Sequence, residues 1–242
     1  MGVLNVTPDS FSDGGRWLDA GAAVEHGLQM VQEGADVIDV GGESTRPGAD
    51  PVDTDEELRR VLPVIEALAP HTRVSIDTRK ADVAREAVAA GASLVNDVSA
   101  TLAPVARAAG AGWVAMHMQG DPRTMQQAPA YVDVVAEVTA FLVERAEAAG
   151  VDEVWIDPGI GFGKTMEHNL ALLAHLDQLV ATGFPVVVGT SRKSFLGRLT
   201  GGAEPEDRVE ASVATAAWAL SQGAGMVRVH DVAPTVAAVR LL

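Results

Sequence analysis

The chain has no cysteine. Disulfide scaffolds, thiolate-ligated zinc, iron–sulfur clusters and thiol catalysis are therefore excluded. Aromatic residues make up only 4% of it, which argues against an aromatic-rich β-sandwich. No uninterrupted apolar run approaches the ~18 residues that a membrane-spanning helix requires, so no membrane partner is expected. The start, MGVLNVTPDSFSDGG, has no basic segment leading into an apolar stretch, so no secretory signal is expected and the expected location is cytoplasmic. Basic charge is scarce: 18 Lys and Arg stand against 33 Asp and Glu, a formal charge of -15. Non-specific nucleic-acid binding normally needs a basic surface, so no nucleic-acid partner is expected. The six histidines form neither HxH nor HExxH spacing, which argues against a zinc site.

What the 242 residues do contain is a repeated alternation. Short apolar, β-branched runs are followed by Ala-rich helical segments that end at Gly. The runs are Val3–Val6, Asp36–Gly41, Val74–Asp77, Leu94–Val98, Trp113–Met118, Val154–Asp157, Pro185–Gly189 and Met226–Val229. Their near-continuous hydrophobicity suits parallel strands covered on both faces. Leu58, Val61, Leu62, Ile65 and Leu68 recur at helical spacing behind Thr54 and Glu57, which are placed as in a capping box, and Pro63 is expected to kink that helix or mark its start. Val132–Ala149 repeats the helical period. Gly34, Gly91, Gly110 and Gly150 stand where left-handed caps are expected. Eight units of ~30 residues fit an α/β fold, a single-domain (β/α)8 TIM barrel over residues 1–242, in preference to a doubly wound open sheet.

In such a barrel the chemistry lies at the carboxyl ends of the strands. Asn5, Asp39, Asp77, Asn96, Met116, His117, Asp157, Ser191, Arg192, Lys193, Arg228 and His230 occupy those positions. Asp77, Asn96 and Asp157 form an acceptor-rich set that suits a flat heterocycle with an amino group, ring N–H groups and a carbonyl. SRKSF at Ser191–Phe195, with Arg198, Arg228 and His230, is the basic counterpart, where many barrels bind phosphate. GIGFGKT at Gly159–Thr165 is one residue too short for a phosphate-binding P-loop, so nucleotide hydrolysis is not expected, and Phe162 is free to pack on a planar ligand. The Gly-rich segments Asn5–Gly15 and Gly41–Gly48 have the composition of substrate-covering loops. His117 and His230 lack a serine-nucleophile context, so covalent acyl chemistry is not supported.

NVTPDSFSDGG, VIDVGGESTRPG, SIDT, VNDVS, MHMQGDPRTMQ, DPGIGFGKT, GTSRKSFLG and RVHDV, from Asn5 to Val232, resemble the ordered motifs of the dihydropteroate synthases, a pterin-binding TIM-barrel family. The resemblance implies joining of p-aminobenzoate to the methyl carbon of 6-hydroxymethyl-7,8-dihydropterin diphosphate in folate biosynthesis. Diphosphate leaves first, and the amine attacks a delocalised pterin cation. It further implies that Asp77, Asn96, Met116, Asp157, Phe162 and Lys193 bind the pterin. Asn5, Thr45, Arg228 and His230 would hold the diphosphate, with Asn5 also a ligand of a Mg2+ cofactor. Phe11, Thr45, Arg46, Pro47 and Ser194 would shape the p-aminobenzoate site. Asp13, Lys193 and Arg228 are the implied catalytic groups, Asp13 stabilising the cation.

In Val209–Leu220 the residues Val213, Ala216, Ala217 and Leu220 recur at helical spacing and are expected to bury an apolar face, on the barrel or on a partner; the resemblance implies a homodimer through the late helices, with Trp218 at the contact. Where the family commonly has Gly-Gly, this chain has Ala100 and Thr101, which leaves the conformation of that loop open. Family members often carry further residues at both ends, so a trimmed barrel of lowered stability is expected. Two alternatives stand beside the synthase reading: a catalytically silent pterin-binding paralogue, and a methyltetrahydrofolate–corrinoid methyltransferase, which needs neither a diphosphate clamp nor aminobenzoate loops.

Overall fold

Eight short parallel strands close on themselves in the computed structural model, which describes residues 1–7, 20–44, 51–121 and 123–242. In chain order the elements are β1 (Gly2–Asn5), α1 (Ala20–Gln32), β2 (Val37–Gly41), α2 (Thr54–Leu68), β3 (Arg73–Asp77), α3 (Ala81–Ala89), β4 (Leu94–Asp97), α4 (Ala103–Ala109) and β5 (Gly112–Met116). They continue as α5 (Val134–Ala149), β6 (Val154–Asp157), α6 (Met166–Ala174), α7 (Leu176–Val180), β7 (Val187–Val188), α8 (Ser194–Leu199), a 3-10 turn (Pro205–Arg208), α9 (Val209–Ser221), β8 (Met226–Val227) and α10 (Val232–Val239). β1 to β6 pair in sequence order and β7 pairs with β8. Bridges Ile156–Val186 and Gly2–Val229 join these groups, and Val3 N donates to Val229 O at 2.9 Å, closing a (β/α)8 TIM barrel.

The eight apolar runs read from the sequence are the eight strands, with ends that agree to within two residues. Their hydrophobicity has two destinations. One set of side chains, with Ile38, Ile76, Val95 and Ile156 among them, packs against the helices; a second cluster of Met1, Val37, Leu94, Val114 and Val187 floors the barrel. At the same end, away from the strand termini, a cavity of about 670 Å³ opens between Met1, Val37, Met226 and α10. The floor matters for chemistry because it removes water from beneath the polar layer above it.

Three local expectations change. Asp53, not Thr54, caps α2, accepting from Glu56 N at 2.8 Å, while Glu57 is buried and drawn to Thr78 Oγ1 at 2.7 Å. Glu57 therefore serves tertiary structure and is unavailable to a capping box. Pro63 does not mark the start of α2 but lies inside it, exposed on a helix that buries Val61, Val64, Ile65 and Leu68. On α9 the buried face is Ser212, Ala216 and Ala219, rotated from the expected one. The glycine caps are found as expected: Gly110 and Gly150 end their helices at φ 67 and φ 60.

Ala100 takes φ 51, a conformation that favours glycine. The Asp97 carboxylate holds the turn there. It accepts from the backbone N–H of Ser99 (2.9 Å), Thr101 (2.6 Å) and Leu102 (2.6 Å), from Ser99 Oγ (2.5 Å) and from Trp113 Nε1 (3.1 Å). Charge-assisted bonds of this kind outweigh the ~1–2 kcal/mol cost of an L-residue in the left-handed region.

Candidate active site

Strand register sets the level of each polar group. Asn5 lies opposite Gly41, Gly41 opposite Asp77, and Asp77 opposite Asn96, so β1 to β4 present these residues in one row at the barrel mouth. Met116 lies opposite Asp157 on β5 and β6. Gly41 has no side chain, and a Cβ there would come within 3.7 Å of Asp77 Oδ2 and 3.8 Å of Asn5 Oδ1. Asp77, Asn96, Met116 and Asp157 thus converge as the sequence suggests.

Arg228, just beyond β8, ties the row together. Its Nε donates to Asp39 Oδ2 at 2.6 Å and its Nη2 to Asp77 Oδ2 at 2.8 Å. Asn96 Nδ2 donates to the same Asp39 oxygen at 2.9 Å. Asp39 is fully buried one layer below the mouth, and its Oδ1 has no partner among the described residues. Burial opposes the charge of Arg228, but the Asp39 and Asp77 carboxylates outweigh it and hold the guanidinium above its ordinary value. Burial pushes Asp77 up to about 7 against the pull of Arg228, with Asp39 adding repulsion. Asp157 is likewise raised by burial, although Lys193 and the Gly159 N–H oppose it.

Lys193 ends the turn after β7 and donates to Ile160 O, its ammonium 4.8 Å from the centre of the Phe162 ring. Burial lowers it to about 8, with Asp157 opposing. Its neighbour Arg192 does not join it: at φ 58 the chain turns, and Arg192 pairs with Asp231 at 2.5 Å and 2.9 Å. His230 Nδ1 meets Ser191 Oγ at 3.0 Å, and Ser194 opens α8 exposed. Phe11, Asp13, Thr45, Arg46 and Pro47 lie outside the described residues.

The lysine of GIGFGKT is not at a phosphate site. Lys164 is buried, with its ammonium on His117 Nδ1 at 2.9 Å and on the carbonyls of Gly159 and Phe162 at 3.0 Å each. Burial pulls it down to about 7, with Asp157 opposing. His117, buried beside that cation, is lowered to about 3 and is neutral. Because Nδ1 faces an ammonium, it is the acceptor and Nε2 carries the proton.

The roles of Asp39, Asp97 and Lys164 are missed by sequence reasoning. A carboxylate inside the apolar run VIDVG was the available signal for Asp39, since a buried charge needs a partner. The same holds for Glu57, which with Glu43 receives the Lys80 ammonium at the base of the β2–α2 segment.

A family model described as pterin binding enzyme matches residues 1–230. The dihydropteroate synthase of Mycobacterium leprae is 52% identical, over 100% of this chain and 91% of its own length. Among solved structures, Xanthomonas albilineans dihydropteroate synthase with 4-aminobenzoic acid has TM-score 0.92 at 51% identity, covering 99% of this chain and 90% of that one. The Xanthomonas enzyme in complex with 7,8-dihydropteroate has TM-score 0.89 at 48% identity, with 99% and 90% covered.

Proposed function

Because the chain belongs to the dihydropteroate synthases of the pterin-binding enzyme family, we infer that its site condenses 6-hydroxymethyl-7,8-dihydropterin diphosphate with p-aminobenzoate. The products are 7,8-dihydropteroate and pyrophosphate, and the chain is a transferase of folate biosynthesis. The observation that carries this reading is the row Asp77–Asn96 with Asp157, closed by Lys193 and Arg228. That row offers acceptors for an amino-substituted pterin edge and cations beside it.

In this reading Asp77, Asn96 and Asp157 orient the pterin, Lys193 faces its polar atoms, and Met116 and Phe162 cover the ring. Arg228 and His230, with Thr45, hold the diphosphate. The bond between the pterin methylene carbon and the diphosphate oxygen breaks, and its electron pair leaves with the diphosphate, whose charge Arg228 helps to neutralise. The p-aminobenzoate nitrogen then forms the new bond to carbon and releases its proton. Asp13 is assigned to stabilising that cation, and Phe11, Thr45, Arg46, Pro47 and Ser194 to seating the aminobenzoate.

Mg2+ suits the donors present. No group of three His, Cys, Asp or Glu able to hold a metal occurs among the described residues. The amide oxygen of Asn5, next to Gly41, is the protein ligand assigned to Mg2+. An ion of this kind is held largely by substrate phosphate oxygens and water, so one protein oxygen suffices. When bound, it supplies charge neutralisation to the departing diphosphate.

We read the chain as one domain that works in the cytoplasm as a homodimer through its late helices. No helix among the described residues is long and apolar enough to cross a membrane. Trp218 on α9 is 47% exposed while its Nε1 donates to Leu173 O, and Leu170 on the adjoining α6 is also exposed. Sedimentation at micromolar concentration should give a species of twice the 25.1 kDa chain mass; a monomer alone would remove the dimer. The reaction is tested by pyrophosphate release and mass analysis of the product. Dihydropteroate should form only with the dihydropterin diphosphate, p-aminobenzoate and Mg2+ together. Pterin binding without product would leave a silent binder.

A further inference from the structure

The segment Gly159–Gly163 joins no strand or helix, yet each of its five carbonyls has a side-chain donor. Gly159 O and Phe162 O receive Lys164, Ile160 O receives Lys193, Gly161 O receives Gln126 Nε2 at 2.5 Å, and Gly163 O receives Tyr131 OH at 2.9 Å. Gly159, Gly161 and Gly163 have φ of 64, 86 and 61, which breaks the segment out of any regular strand or helix. Besides these donors, the segment is held by Phe162 N on Gly159 O at 3.0 Å, Gly159 N on Asp157 Oδ1 at 2.7 Å and Gly161 N on Asn169 Oδ1 at 2.7 Å.

The donors are not equivalent. Lys193 stands at the mouth, and in the synthase reading, where it faces the pterin, its bond to Ile160 O is given up to substrate. Gln126 is exposed, and its bond competes with water. Lys164 is 3% exposed, has no carboxylate salt-bridge partner among the described residues, and reaches two loop carbonyls and the β5-end residue His117 together. A buried ammonium is costly unless it is hydrogen-bonded, and the acceptors that satisfy this one are His117 and the two loop carbonyls.

We propose that Lys164 is a positioning residue for the pterin ring: by holding Gly159 O and Phe162 O against His117, it fixes the Phe162 ring over the pocket after Lys193 has turned to substrate. This rests on the synthase reading. It assigns the lysine of a motif that ends like a P-loop to the loop's own carbonyls, away from any phosphate.

The test compares Lys164→Met, similar in length and without the ammonium, with wild type in steady-state synthesis and in a fluorescence titration with 6-hydroxymethylpterin. The variant should raise KM for the dihydropterin diphosphate about tenfold and weaken pterin binding equally. KM for p-aminobenzoate and kcat should stay within about threefold. The chain has no other thiol, so Lys164→Cys alkylated with 2-bromoethylamine while unfolded, then refolded, restores an ammonium at the same reach and should return the pterin KM to within twofold. If Lys164→Met is too unstable to assay, Lys164→Gln, whose amide still donates twice, should show a smaller rise in the same parameter alone. Unchanged pterin KM, or a fall in kcat with both KM values intact, would make Lys164 a stabilising residue only and overturn the proposal. Absence of product from the wild type would instead overturn the synthase reading, and the pterin titration would still decide the role of Lys164.

Discussion

The Arg228 guanidinium reaches Asp39 at 2.6 Å across 189 positions of sequence, and the Asp39 oxygen it meets is the one that also accepts from Asn96. A single buried carboxylate oxygen therefore aligns a cation from just beyond the barrel's last strand with an amide at the mouth end of its fourth. Asp39→Asn preserves an oxygen for both bonds but removes the charge. We expect kcat/KM for the pterin substrate to fall about tenfold or more, carried by KM, with p-aminobenzoate KM little changed. Wild-type kinetics in this variant would show that geometry alone, without the Asp39 charge, sets Arg228.

Asp77 makes stability depend on pH. Its carboxyl is pushed up to about 7 by burial, whereas in the unfolded chain it ionises near 3.8. Between those values folding takes up a proton, so this group subtracts stability progressively as pH rises from about 4 to about 7, and by a constant amount above. Asp77→Asn removes that contribution. Its melting temperature relative to wild type should climb through the same interval; a flat difference would place the native carboxyl at its ordinary value.

Asp97 faces away from the barrel mouth and its effect is on folding. Asp97→Ala strips three backbone N–H groups, a hydroxyl and the Trp113 indole of their acceptor at once. A loss of about 3–5 kcal/mol is expected, since buried donors left unpaired cost ~1–3 kcal/mol each and partly relax. Urea denaturation measures it; a loss under about 1 kcal/mol would mean that the turn at Ala100 holds itself.

Two glycines of like conformation should respond unequally to alanine. At Gly183, φ 85, a Cβ meets nothing within 4 Å, so Gly183→Ala should cost only the ~1–2 kcal/mol of its backbone conformation and leave activity normal. At Gly159, φ 64, a Cβ would sit 1.9 Å from His117 O, a backbone atom. Gly159→Ala should cost at least ~3 kcal/mol and raise the pterin KM. Equal melting temperatures for the two variants would show that the Gly159 segment yields freely.

The sequence by itself determined the barrel and the content of its mouth. Parallel strands covered on both faces read as unbroken apolar runs, and Gly110 and Gly150 mark the helix ends because only glycine takes the left-handed cap cheaply. Asp77 and Asp157 stand out because each ends such a run, and Asn96 because it interrupts one. What the tertiary structure decided is which way polar neighbours face. Asn96 and Asp97 are adjacent, yet alternation along β4 sends one to the pocket and the other to the α4 turn. Arg192 and Lys193 part in the same manner, one to Asp231 and one to Ile160 O and Phe162. Lys164, Asp39 and Glu57 owe their roles to partners 47, 189 and 21 positions away. Periodicity reports burial, which is a local average over one element; a hydrogen bond between distant segments has no period, and only the closed barrel brings its two ends together.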